Sequence, residues 1–250
     1  MRKWLKRLIL AFQFMTRIPI PVNLDVDGDD LAQSMIFYPI VGLAIGTVCY
    51  IAYYIFGCIA TEKIVPSIAA IIIGILITGA FHIDGFADVC DALLSNKDTS
   101  GMLSIMKDSR IGTGGAVAVT ALLLFDAAML IELRGDILYK ALLLTPIFGR
   151  ASIPCAAALS SYAREEGGLG RTFIDKAGWR QALIAMLIAI ALGALIIGYR
   201  ALILAIASMA SAFGFSIYMK RKIGGMTGDT LGATCEIAQA VVLLCFVALY

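Results

Sequence analysis

Apolar residues fall in seven long blocks along this chain, at about 35–56, 64–81, 114–133, 137–160, 182–198, 201–219 and 231–250. Each is near the ~20 residues a helix needs to cross a bilayer core of about 30 Å. Most of the polar stretches between them are short. Two are long, 82–113 and 161–181, and they hold much of the chain's unusual chemistry. The pattern predicts an all-α, polytopic integral membrane bundle of about seven transmembrane helices, folded as one transmembrane catalytic domain over residues 1–250. The first residues, MRKWLKRLIL, precede a short apolar stretch broken by Gln13, and no small-residue cleavage site follows. They read as a basic amphipathic helix lying at the membrane interface rather than as a leader.

Composition agrees. Hydrophobic residues make up 60% of the 250 and charged residues 15%, against about 45–50% and about 25% in soluble domains. The net charge of +2 gives no sign of nucleic acid. The six cysteines are scattered without zinc-like spacing and read as packing thiols. With the N-terminus inside, fifteen Lys/Arg fall on the cytoplasmic side and four outside. That split supports an odd number of spans and an external C-terminus. It also puts both long loops and residues 224–232 on the cytoplasmic face.

The segment GAFHIDGFADVCD (79–91) directly follows the second apolar block. Asp84, Asp88 and Asp91 stand at i, i+4 and i+7, on one face of a helix. Three like charges there call for a cation, and carboxylates at a membrane face suit Mg²⁺ shared with a phosphorylated substrate. His82, the only histidine, is placed to orient a phosphate, shuttle a proton or ligate metal. The loop MKDSRIGTGGA (106–116) carries Lys107, Asp108, Arg110, Thr113 and Gly114 just before the third block. Glycines at a helix N-terminus let backbone N–H groups approach phosphate, and the two cations can neutralise its oxygens. YAREEGGLG (162–170), with Arg164, and GGMTGDTLG (224–232), with Asp229, are glycine-rich and predicted on the same face. Asp229 or Thr230 also suits a helix cap. Glycine pairs 42/46, 224/228 and 228/232 match close helix packing. Arg150 lies inside an apolar block and needs an acidic group or a substrate phosphate as partner; Asp126 and Glu132 raise the same question less strongly.

Taken in order, FMTRIPIP (14–21), FYPIVG (37–42), the 79–91 segment, IMKDSRIGT (105–113) and GMTGDTLG (225–232) resemble the cobalamin synthase family, adenosylcobinamide-GDP ribazoletransferases, over nearly the whole chain. The resemblance implies a prokaryotic cytoplasmic (inner) membrane enzyme that uses Mg²⁺ at its cytoplasmic face. It would join α-ribazole or its 5′-phosphate to adenosylcobinamide-GDP and release GMP. On this reading His82, Asp84, Lys107 and Arg110 are catalytic. Asp84, Asp88 and Asp91 hold the metal, and Asp108, Thr113, Gly114, Arg150, Arg164 and Asp229 contact substrate. The implied partners are these small molecules and membrane lipid, without nucleic acid, and a homo-oligomer is open. The rival readings are a CDP-alcohol phosphotransferase or prenyltransferase, which space their acids differently, and a transporter, which would place polar groups deep in several spans.

Overall fold

The structure is a computed structural model and describes residues 2–250. It is helical throughout. Among the described residues the only strand-like pairing is a single parallel bridge between Tyr162 and Met226. The chain opens with α1 (Lys3–Met15) and α2 (Gly28–Ser34), then α3 (Tyr38–Gly57) and α4 (Ile64–Thr78). Next come α5 (Phe81–Leu94), α6 (Thr99–Ile105), α7 (Thr113–Glu132) and α8 (Gly135–Ala158). The last four are α9 (Leu169–Lys176), α10 (Trp179–Ile197), α11 (Ala201–Ile223) and α12 (Gly228–Leu249).

Helix α8 is the axis of the bundle. Helices α3, α10, α11 and α12 all pack on it, and almost all of its second half is buried. Gly42 and Gly46 of α3 allow that approach: a Cβ at Gly46 would lie 2.7 Å from the Leu143 carbonyl oxygen. The outward faces of α10 and α11 show Leu183, Leu187, Leu195, Ile206 and Phe213 to the surroundings. A contiguous apolar surface of that kind belongs against lipid. The chain is a multi-pass membrane protein.

Every apolar block became a helix, and the expected number of about seven spans holds as an approximate count. Five stretches are long and apolar enough to cross a membrane, and six if a bent pair counts as one span. The 45-residue stretch Trp179–Ile223 is one of the five. It folds back at Gly198, where φ is +62°, so that a Cβ on Gly193 would lie 2.9 Å from the Ala201 methyl. Eight residues of continuous helix would hold those positions about 12 Å apart, so α10 and α11 are two crossings.

The block expected to span 64–81 stops short. Helix α4 has 15 residues, about 22 Å of rise, and meets α5 at 93°. Gly79 and Ala80 both take positive φ, +63° and +60°, which ends the helix. Helix α5, 14 residues long and turned away from α4, is too short to cross a bilayer by itself. Helix α1 matches the interfacial expectation: Leu10, Ala11 and Met15 are buried, while Lys6 and Arg7 reach Asp30 at the end of α2's first turn.

Candidate active site

The site is built where α5 lies against the N-terminus of α12, and two glycines set that contact. A Cβ on Gly85 would stand 2.7 Å from the Asp229 carbonyl oxygen, and one on Gly232 would stand 3.3 Å from the His82 Cα. The close approach brings Asp84 and Asp229 to one cavity. Thr227 caps α12 in a reciprocal box with Thr230, which frees Asp229 to face outward. Asp229 instead takes a 2.8 Å ion pair from Arg164. The loop carrying Arg164 is fixed by two backbone hydrogen bonds of 2.9 Å, Ala163 N–H to the Met226 carbonyl and Met226 N–H to that of Ser161.

The cavity holds about 290 Å³. One wall is charged, with Asp84, Asp229, Arg164, Lys107 and Glu166, and Lys107 is ion-paired with Glu166. The opposite wall is apolar and aromatic. Phe14 packs on Phe81 at 5.1 Å and on Phe173 at 4.9 Å between ring centroids, beside Met15, Met35 and Tyr38. The glycines at 167, 168 and 170 form the rim. His82 lines the floor but is itself buried.

Asp88 sits one turn past Asp84 and is half-buried. Burial raises its carboxyl to a pKa of about 7, helped by the nearby charges of Asp84, Asp229 and Asp91 and opposed only by Arg164. Carboxylates crowded enough to hold a proton near neutrality would gain from a divalent cation, so the donor set fits Mg²⁺ in kind. The aspartates are more open than a closed cage. Among the described residues the one trio of His, Cys, Asp or Glu with all ligand atoms within 4.8 Å of one another is His82, Cys235 and Glu236.

The sequence-predicted residues are thus divided. His82, Asp84, Lys107, Arg164 and Asp229 share the cavity. Asp91 lies two turns beyond Asp84, outside the cavity lining, and ties α7 to α5. Its two oxygens accept 2.7 Å hydrogen bonds from the backbone N–H groups of Gly112 and Gly115, at the start of α7. Arg110 and Asp108 pair with each other at 2.6 Å beside Gly114, in a shallow groove behind Asp91. The Arg110 contact holds Asp108 down at a pKa of about 2. Thr113 opens α7 and is exposed.

Arg150 lies in a separate inner cavity of about 110 Å³, lined by α3, α4, α5, α7, α8 and α12. Its Nη1 donates to Gln239 Oε1 and to the Pro146 carbonyl, both at 3.3 Å. Asp126 and Glu236 share that space. Sequence reasoning missed Glu166, Glu236 and Gln239. Glu236 had a legible signal, because it follows Asp229 by seven residues, two turns along the same face of α12.

These features define a class: a multi-pass helical membrane protein whose short surface helix presents carboxylates beside Lys and Arg at a wet cavity, the equipment of an enzyme that works on phosphate groups. The cobalamin-5-phosphate synthase family model matches residues 7–247, and the chain belongs to that family. It is 39% identical to an adenosylcobinamide-GDP ribazoletransferase of Caldanaerobacter subterraneus over 97% of this chain and 98% of the relative. It is 40% identical to one of Thermoanaerobacter pseudethanolicus, with 98% of each chain covered. A Listeria monocytogenes relative of the same description is 34% identical over 98% of this chain and 99% of its own. No solved structure matches the chain.

Proposed function

We propose that the chain is an adenosylcobinamide-GDP ribazoletransferase, joining α-ribazole or its 5′-phosphate to adenosylcobinamide-GDP and releasing GMP at the cytoplasmic face of the prokaryotic inner membrane. The observation that carries the reading is the gathering of Asp84, Lys107, Arg164 and Asp229 from four distant segments around one cavity, in a chain matched end to end by relatives of that description. The CDP-alcohol and prenyl alternatives have no such support.

The two walls suit the two substrates. Lys107 and Arg164 are placed to hold diphosphate oxygens, and their present partners, Glu166 and Asp229, keep them oriented. The aromatic wall of Phe14, Phe81 and Phe173 offers edges and faces to a flat heteroaromatic ring. A ribazole hydroxyl oxygen attacks the phosphorus that bears the corrinoid side chain. The bond from that phosphorus to the GMP oxygen breaks, and GMP departs with the bonding pair. The hydroxyl proton passes to a carboxylate of the site or to His82. Asp84 and Asp88, with Asp229 close by, are the residues that would hold Mg²⁺, which supplies charge neutralisation on the departing phosphate. Asp91 supports them by fixing α5 to α7. Lipid is the surrounding solvent, and a homo-oligomer remains part of this proposal.

Membranes containing the protein, given labelled adenosylcobinamide-GDP and α-ribazole, should release GMP in step with corrinoid product, and the release should stop on Mg²⁺ chelation. GMP release that ignores ribazole would sink the transferase reading. Activity undiminished by thorough chelation would sink the metal assignment alone.

A further inference from the structure

Two groups stand out: His82, whose orientation the mechanism above leaves unexplained, and Glu236, which it does not use. His82 is 3% exposed, and neither ring nitrogen has a hydrogen-bond partner. A neutral imidazole has one N–H to donate and one nitrogen to accept, and leaving either unpaired in a buried place is costly. Glu236 is 8% exposed and sits one turn beyond Gly232, the residue whose missing side chain lets α5 touch α12 at His82. A His82 ring nitrogen and a Glu236 carboxylate oxygen lie within 4.8 Å. His82 lines the substrate cavity, Glu236 lines the inner one, and so the pair connects the two.

Glu236 is itself held. Gln239 Nε2 donates to it at 3.0 Å, and Gln239 Oε1 accepts from Arg150 at 3.3 Å. The series runs from Arg150 through Gln239 to Glu236 and ends facing His82. Such a series fixes the position of its last carboxyl group. Catalytic hydrogen bonds are often long before substrate binds and tighten afterwards, and the remaining gap is of that kind.

We propose that Glu236 is a positioning residue for His82: its carboxylate, held by Gln239 and Arg150, accepts the N–H of one ring nitrogen and turns the other toward the substrate cavity. The inference rests on the role given to His82 above. The same atoms, with Cys235, could also be read as a buried cation cage. Arg150 argues against that, since a fixed guanidinium beside the same carboxylate repels a second cation.

The test is a double-mutant cycle on GMP release with His82→Gln, Glu236→Gln and the double variant, each first shown to elute as a monodisperse species in detergent. Glu236→Gln keeps the volume and removes the carboxylate. It should lower kcat by roughly ten- to hundredfold, the range for partners that orient a histidine, with both KM values nearly unchanged. In the His82→Gln background the same change should cost nothing further. Losses that multiply, or a loss that appears in KM, would make Glu236 a structural residue and overturn the inference while leaving His82 its role. A His82→Gln variant with full kcat would instead overturn that role, and this inference with it. One equivalent of metal that survives chelation and disappears in Cys235→Ser would establish the cage and overturn the inference.

Discussion

Two of the molecule's polar cavities use the same residue types to opposite ends. The outer one, about 290 Å³, is walled by loops and helix ends and takes Asp84, Lys107, Arg164 and Asp229. The inner one, about 110 Å³, is walled by helix mid-sections and takes Asp126, Arg150 and Glu236 among apolar side chains. In the outer cavity charges are partly wet. Ion pairs there are worth little to the fold and remain free to exchange partners with a charged ligand. In the inner cavity a charge is costly to desolvate: Arg150 and Glu236 are joined through Gln239, while Asp126 Oδ1 has no hydrogen-bond partner. Depth, more than residue type, decides which charges are available for chemistry.

The comparison can be broken most directly at the outer cavity. Asp84→Asn should lower turnover by about a hundredfold or more, the scale for losing one electrostatic contact at a phosphoryl transition state. The protein should insert and elute normally, because Asp84 is exposed. Near-normal steady-state kinetics at limiting Mg²⁺ would remove α5 from the site.

A second effect follows from Asp88. Its carboxyl titrates near pH 7, so a cation must displace a proton below that pH and meets a bare carboxylate above it. Apparent Mg²⁺ affinity should therefore fall by up to about tenfold per pH unit as pH drops below 7 and level off above 8. Asp88→Asn should flatten that slope. Mg²⁺ titrations of initial rate at several pH values would show it, and an unchanged slope would detach Asp88 from the metal.

The inner cavity should respond in stability. Arg150→Leu leaves Gln239 Oε1 without its donor, a loss of about 1–3 kcal/mol. Thermal unfolding in detergent would read it as a lower Tm, and an unchanged Tm would make the inner network dispensable. The smallest effect belongs to Arg110→Ala. Arg110 pairs with Asp108 in the groove behind Asp91, with its side chain 87% exposed. Its removal should change kcat/KM by only about two- to threefold, as for other exposed pairs. A much larger loss would mean that the groove joins the cavity when substrate binds.

How much of this the chain discloses depends on the range of the signal. Apolar blocks are local, and all seven appear as helices. The i, i+4, i+7 aspartates are local too, and they do share a helix. What each carboxylate faces is not local. Asp91 caps α7 because α7 happens to start beside it, 21 residues further along. Lys107 and Arg110 are three residues apart, yet they serve different surfaces because the chain turns between α6 and α7. The bend at residues 79–80 was also hidden: glycine hints at it, but Ala80 takes the same left-handed conformation without any compositional warning. Arg150 could be flagged as costly from sequence, but its neighbours come from five other helices.

That bend ties the carboxylates of α5 to the thickness of the lipid. Helix α4 rises about 22 Å and ends at Gly79, while the surrounding hydrocarbon is about 30 Å deep. A short helix draws the bilayer thinner around itself, at a cost that grows with each ångström of mismatch. The carboxylates of α5 hang directly from the end of that helix. Longer acyl chains would therefore load the Gly79–Ala80 joint and shorter ones would relieve it, so a change of lipid thickness should register in the geometry of α5.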